Sequence, residues 1–173
     1  MELYTRIYYH HKDPHIMQTV DQLFTEVKGD EAKWIALATQ LNAQHGAELA
    51  QDLIDQIDSL EYDAGAESLE HHAGYSIVSF THGSSGDEWL ELLLNLLHDL
   101  VQGITAQGYG TGDEDPWEFW MKFEGDELIR HDNEPFNDEE EDEHTKQTLY
   151  TWWHADLPDS IKVGYLNEDQ DNE

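Results

Sequence analysis

The sequence predicts an α+β fold in which three N-terminal helices and a central leucine-rich helix pack on a mostly antiparallel sheet. Three patterns support this prediction. Apolar residues recur at helical spacing through most of the first 60 residues, and in several later segments they alternate with polar ones, as in half-buried strands. The apolar residues of Trp89–Val101 also cover about 200° of a helix, so this helix is expected to be buried on more than one side.

The N-terminal third predicts one strand followed by three short helices. Side chains of Glu2–Tyr9 alternate with a period of two and are rich in aromatics, which favours a strand. Beyond Pro14 the apolar residues recur every three or four positions, with Gly29 and Gly46 as breaks and Asp30 as a candidate N-cap. The three helices are predicted at about residues 16–27, 31–45 and 47–58.

The rest of the chain predicts strands on both sides of the central helix, which runs from Asp87 to Gln102. A hairpin is expected at Glu124–Asp126, where a glycine-containing turn joins two alternating segments. The predicted strands are Tyr75–His82, Ile104–Tyr109, Trp117–Phe123 and Glu127–His131.

The C-terminal region leaves its secondary structure open. Asn137–His154 is compatible with a helix or with a strand, and Ile161–Leu166 is a candidate for a last strand. Because 173 residues suit one domain, we expect a single α+β domain at 1–166 and a flexible acidic tail at 167–173.

The charge composition excludes several classes of protein. The chain has 39 Asp or Glu against 8 Lys or Arg, a formal net charge of −31, and no cysteine. Nucleic acid and anionic membranes carry the same sign, so no direct binding to either is expected. The absence of cysteine excludes a disulfide scaffold and a thiol nucleophile. With 38% apolar residues and 6 Trp, the chain is nevertheless expected to fold.

The sequence predicts neither an enzyme nor a cofactor or metal site. Its eleven histidines lack the HExxH spacing of a metalloprotease, and Gly83–Gly86 is one residue short of a nucleophile elbow. The glycines of 108–112 lead into acids, which would repel phosphate. Since the N-terminus has no apolar signal region, we expect a cytoplasmic protein.

The distribution of charge is more informative than its total. Between Trp34 and Met121 there are sixteen acids and no Lys or Arg. On the third helix Glu48, Asp52 and Asp55 fall within about 60° of one another, with Asp58 close by. Four carboxylates in about 15 Å approach the charge spacing of one nucleic-acid strand, about 3.4 Å. This geometry permits phosphate mimicry, and it is also that of a solvated helix face.

Two further acidic clusters join the candidate partner-binding surface. One combines acids with aromatics at a loop-to-strand junction, where acids could steer a cationic partner and exposed rings could anchor it. Its members are Asp113, Glu114, Asp115, Glu118 and Trp120. The other is an unbroken acidic run, which a helix starting there would place at the positive end of its dipole. It consists of Asp138, Glu139, Glu140, Glu141, Asp142 and Glu143.

These observations predict an acidic inhibitor or antagonist of a basic nucleic-acid-binding protein, such as a nuclease or a defence complex. An immunity protein against a nuclease toxin, a phage-type antagonist of restriction or CRISPR machinery, and a regulator of a cellular ribonuclease all fit. The alternative is an acidic adaptor or structural subunit with a hydrophobic interface around Trp152 and Trp153. Halophilic adaptation would also produce an acidic surface. The sequence leaves the oligomeric state open.

Overall fold

The computed structural model describes residues 3–25, 30–60, 66–83, 85–112, 117–133 and 139–163, with the side chains of 57–60, 133 and 139–146 excepted. Within these ranges it contains six strands and five helices, which confirms the predicted α+β class. In chain order they are β1 (Leu3–His10), α1 (Pro14–Thr25), α2 (Glu31–Leu41), α3 (Gly46–Leu60), β2 (Ser68–His72), β3 (Tyr75–His82), α4 (Gly86–Leu100), β4 (Thr105–Gly112), β5 (Glu118–Glu124), β6 (Glu127–Asn133) and α5 (Glu139–His154).

The six strands form one sheet in the order β2-β3-β1-β4-β5-β6. Every neighbouring pair is antiparallel, so β1 lies in the middle although it comes first in the chain. Glycines on β4 allow close packing on one face. A side chain at Gly108 would crowd Leu90 and Leu94 of α4, and one at Gly110 would overlap the ring of Phe119. The sheet can therefore approach the central helix closely.

Helices α1–α4 cover one face of the sheet and form the larger core. α4 contacts β1, β4 and β6, while α3 packs on α2 and α4. Trp89, Leu90 and Leu94 of α4 are fully buried against inward-facing strand residues such as Ile7 and Val78. The wide apolar surface of the leucine-rich helix is thus used on two sides, toward the sheet and toward α3.

A second core lies on the opposite face, beneath α5 and the segment 157–163. Trp153 of α5 is fully buried, and its indole N–H contacts the carbonyl oxygens of Gly108 and Met121 at 2.9 and 3.1 Å. Tyr8 and Trp120 meet its ring edge-on, with centroids 5.1 and 5.4 Å away. The region that the sequence leaves open between helix and strand is therefore a helix from Glu139, and β4 and β5 are buried on both faces.

Two features differ from the sequence prediction. β2 is an additional edge strand, which the pattern misses because Ser68–His72 contains a single apolar residue, Leu69. The described part of the predicted strand at Ile161–Leu166 is not a strand. Ile161 and Val163 instead bury their side chains in the second core, so residues 161–163 follow α5 without joining the sheet. Residues 164–166 and the predicted tail at 167–173 lie outside the described residues.

Candidate functional site

The outer face of α3 carries three exposed carboxylates. Glu48, Asp52 and Asp55 are exposed, whereas Ala50 and Leu53 on the opposite side are buried in the larger core. The helix folds this way because its apolar and acidic residues lie on opposite sides at 100° per residue. The sequence prediction that these three acids share one solvent-facing surface therefore agrees with their exposure. Asp58 belongs to the same helix, but its side chain is outside the described set.

The spacing of the three carboxylates is set by the helix. Glu48 and Asp52 are about 6 Å apart along the axis, and Asp52 and Asp55 about 4.5 Å. Asp55 also accepts a hydrogen bond from the side-chain amide of Gln51 at 3.0 Å, which restricts its rotamers. Because α3 is packed on α2 and α4, the carboxylates stand on a rigid support.

Two cations on the sheet, Arg130 and Lys122, are paired with carboxylates of the fold. The Arg130 guanidinium contacts carboxylates of Asp132, Glu91 and Asp87 at 2.6, 2.8 and 2.9 Å. The hydrogen bond to Asp132, followed by those to Glu91 and Asp87, raises the pKa of Arg130 above its usual range. Among the described residues, no ion pair reaches the three acids of α3, which leaves their charge to solvent or to a partner.

The loop-to-strand cluster is only partly described, and its aromatic member is not where the sequence places it. Trp120 is fully buried in the second core, with its ring 4.4 Å from that of Tyr109. The expectation of an exposed ring at Trp120 is therefore wrong. Alternation assigned it to a solvent face that α5 in fact covers. Glu118 is half-buried and accepts a hydrogen bond from the Tyr109 hydroxyl at 3.0 Å, so it serves the fold. Asp113, Glu114 and Asp115 lie outside the described residues.

The acidic run falls at the beginning of α5. Glu139 is the first residue of this helix, and Glu140, Glu141, Asp142 and Glu143 follow in its first two turns. This is the end at which a helix dipole favours acidic residues, as expected from the sequence for a helix that starts here. Their side chains and the whole of Asp138 are outside the described set.

The two tryptophans of the alternative hydrophobic interface, Trp152 and Trp153, make contacts within the protein itself. Trp153 is fully buried. Trp152 is partly exposed, donates its indole N–H to Glu124 at 2.8 Å and packs its ring 5.0 Å from the Lys122 ammonium. These contacts tie α5 to β5.

A polar cluster that the sequence pattern does not reveal joins α1 to β1, β2 and β3. The Asp21 carboxylate accepts hydrogen bonds from the hydroxyls of Tyr9 and Ser76, the latter at 2.7 Å, and contacts His71 Nε2 at 2.9 Å. Burial, followed by the bond to Asp21, raises the pKa of Tyr9 above its usual range. Serine, histidine and aspartate meet here, but the carboxylate lies between the other two. In a nucleophilic triad the histidine lies between the serine and the carboxylate, so this cluster is not a triad and instead joins α1 to the sheet.

No three His, Asp or Glu side chains within the described ranges converge as metal ligands would. None of the described helices is long and apolar enough to span a bilayer. Comparison of this chain with protein-family models, with curated proteins and with solved structures finds no match.

Proposed function

We propose that this protein is an acidic antagonist that occupies the basic nucleic-acid-binding surface of another protein, such as a nuclease or a defence complex. The observation that carries the proposal is the outer face of α3, where Glu48, Asp52 and Asp55 are exposed, share one side of the helix and form no ion pair among the described residues.

The physical basis is the spacing and the support of these charges. Carboxylates about 4.5–6 Å apart along a helix approximate the linear charge density of a nucleic-acid strand. A groove that binds phosphates with Lys and Arg would accept such a row as a substitute. Because α3 is held by α2 and α4, little ordering entropy is lost on binding.

The net charge supports fast association. A formal charge of −31 attracts a basic partner over distances longer than a contact, and this steering raises association rates toward about 10⁸–10⁹ M⁻¹s⁻¹ at low salt. The same field repels nucleic acid, so the antagonist would compete with the nucleic acid for its partner without binding it.

The adaptor alternative rests on Trp152 and Trp153. Their internal contacts with Glu124, Gly108 and Met121 favour a structural role for both side chains. The internal use of these rings makes the antagonist the better supported of the two proposals.

The proposal is tested by capture on the immobilised full chain. A lysate of the source cells is applied at low salt, eluted in rising salt and analysed by mass spectrometry. We expect one stoichiometric basic protein that leaves at a defined salt concentration and is displaced by its own nucleic acid. A smear of ribosomal and other basic proteins released early, or a captured protein that added nucleic acid does not displace, would contradict the proposal.

A further inference from the structure

The strands β4 and β5 separate at one end of the sheet and leave a cleft. Their pairing stops at Gln107 and Lys122, whereas β4 stays paired to β1 as far as Thr105 and β5 to β6 as far as Glu124. The cleft between them has a volume of about 380 Å³, which lies within the range of small-molecule sites. It is on the sheet, away from the exposed face of α3.

A buried cation lies in this cleft. Lys122 is 8% exposed, and its ammonium donates to the carbonyl oxygen of Trp152 at 2.6 Å and to Asp156 Oδ2 at 3.3 Å. An ammonium has three N–H donors, so within the described structure one remains for a ligand. Asp156 lies at the rim with 71% of its side chain exposed, and its carboxylate keeps free acceptor positions.

A second donor lines the same cleft. Tyr75 is 8% exposed and forms part of the lining, yet no described residue hydrogen-bonds to its hydroxyl. A tyrosine hydroxyl can both donate and accept a hydrogen bond, so this group is available to a ligand in the cleft. The rest of the lining is mixed: Ile104 and Phe123 are apolar, and His98, whose ring stacks on that of Phe123 at 4.3 Å, is polar, as are Thr105 and Gln107.

We propose that this cleft binds a small zwitterion of the α-amino acid type, with its carboxylate between the Lys122 ammonium and the Tyr75 hydroxyl and its amino group at Asp156. The charges around the cleft favour a zwitterionic ligand over a free anion or a free cation. The field of a −31 chain disfavours a free anion, and a free cation would lie beside buried Lys122. A zwitterion has no net charge and satisfies both partners of the ion pair.

The proposal is tested by ¹H–¹⁵N NMR titration of the full chain with a panel of free α-amino acids, each compared with its N-acetyl form and its amide. We expect at least one amino acid to saturate with a Kd at or below about 1 mM. The shifted amides should centre on Gln107, Lys122 and Phe123, and the derivatives that lack one charge should bind more weakly.

Two variants separate ligand contacts from effects on folding. Tyr75→Phe removes one hydroxyl, and Asp156→Asn removes one charge at the rim; each should weaken binding about tenfold while the melting temperature stays high. The control Asp159→Asn alters an exposed acid that lines a different hollow and should leave the affinity unchanged. No saturation by any amino acid, shifts away from the cleft, or equal affinities for all three variants would overturn the proposal.

Discussion

His82 is a titratable side chain enclosed beneath the helical layer. It is 6% exposed, its Nε2 lies 2.9 Å from the hydroxyl of Thr5, and its ring packs on Phe80 and Trp89. Burial lowers the pKa of His82 from its usual 6.5 to about 4. The unfolded chain therefore takes up a proton at a higher pH than the folded protein does, and acid favours unfolding through this residue.

The expected pH dependence has a defined window. The contribution of His82 to the unfolding free energy is fully present above pH 6.5 and falls as the pH approaches 4. Between pH 7.5 and 5 the unfolding free energy should decrease by about 2 kcal/mol through this residue. Urea unfolding of the native protein and of His82→Gln, measured in parallel across this range, checks it. On acidification, the unfolding free energy of the native protein should fall more than that of His82→Gln. A difference independent of pH would contradict the lowered pKa.

Packing between elements places strict limits on single positions, and the junction of α2 with α3 is an example. Gly46 begins α3, and a methyl group there would overlap the backbone carbonyl of Ala38 in α2. Backbone atoms cannot rotate aside as a side chain can, so the two helices must separate to make room.

Gly46→Ala should therefore destabilise the protein by about 1–3 kcal/mol, although alanine is the better helix former. The neighbouring exposed residue provides the control. Ala47→Ser should change the unfolding free energy by less than about 0.5 kcal/mol. Chemical denaturation of both variants measures the effect, and a Gly46→Ala protein as stable as the native one would show that α2 and α3 do not approach so closely.

The segment after α5 is held by a histidine with a single compatible tautomer. His154 Nε2 accepts the backbone N–H of Val163 at 3.1 Å, so the proton is on Nδ1, which donates to the Tyr150 carbonyl at 2.8 Å. Burial, together with the charge of Lys162, lowers the pKa of His154. Protonation would abolish the bond to Val163 and loosen the segment that covers the second core.

Protection of the Val163 amide should follow the protonation of His154. Hydrogen exchange, corrected for the intrinsic pH dependence, should show high protection above pH 6.5 that declines on acidification. In His154→Phe, which keeps a ring but no acceptor, protection should be low at every pH. The amide of Leu157, whose bond to the His154 carbonyl is independent of the imidazole, provides an internal reference. Equal behaviour of the two amides would contradict this role.

The periodicity of the sequence predicted most elements because most of them are amphipathic. Helices α1–α3 each bury one side in the larger core, and Asp30 caps α2 by accepting a hydrogen bond from the Lys33 amide, as its position suggests. The alternation of apolar and polar residues cannot show by itself that a strand is buried on both faces of the sheet. Trp120 was misplaced because its cover, α5, begins 19 residues later in the chain. The exposure of the α3 acids was predictable from one helix, whereas the Tyr75, Lys122 and Asp156 cleft depends on tertiary contacts.

Over the whole molecule, charge is divided unequally. From Trp34 to the end of α4 the chain contains no Lys or Arg, while Arg130 and Lys122 on the sheet are neutralised by nearby carboxylates. An acidic protein that needed only solubility would gain stability by distributing a few cations among its acids. The segment from Trp34 to the end of α4 lacks such cations, which is consistent with a surface that binds a cationic partner.

The most direct measurement compares two triple variants of equal net charge for binding to the captured partner. One neutralises α3 through Glu48→Gln, Asp52→Asn and Asp55→Asn. The other neutralises exposed acids elsewhere, through Glu70→Gln, Glu127→Gln and Asp159→Asn. At 0.1 M salt we expect the α3 variant to lose at least about tenfold in affinity and the control less than about threefold. Equal losses would mean that total charge alone drives association, and the assignment of the site to α3 would be wrong.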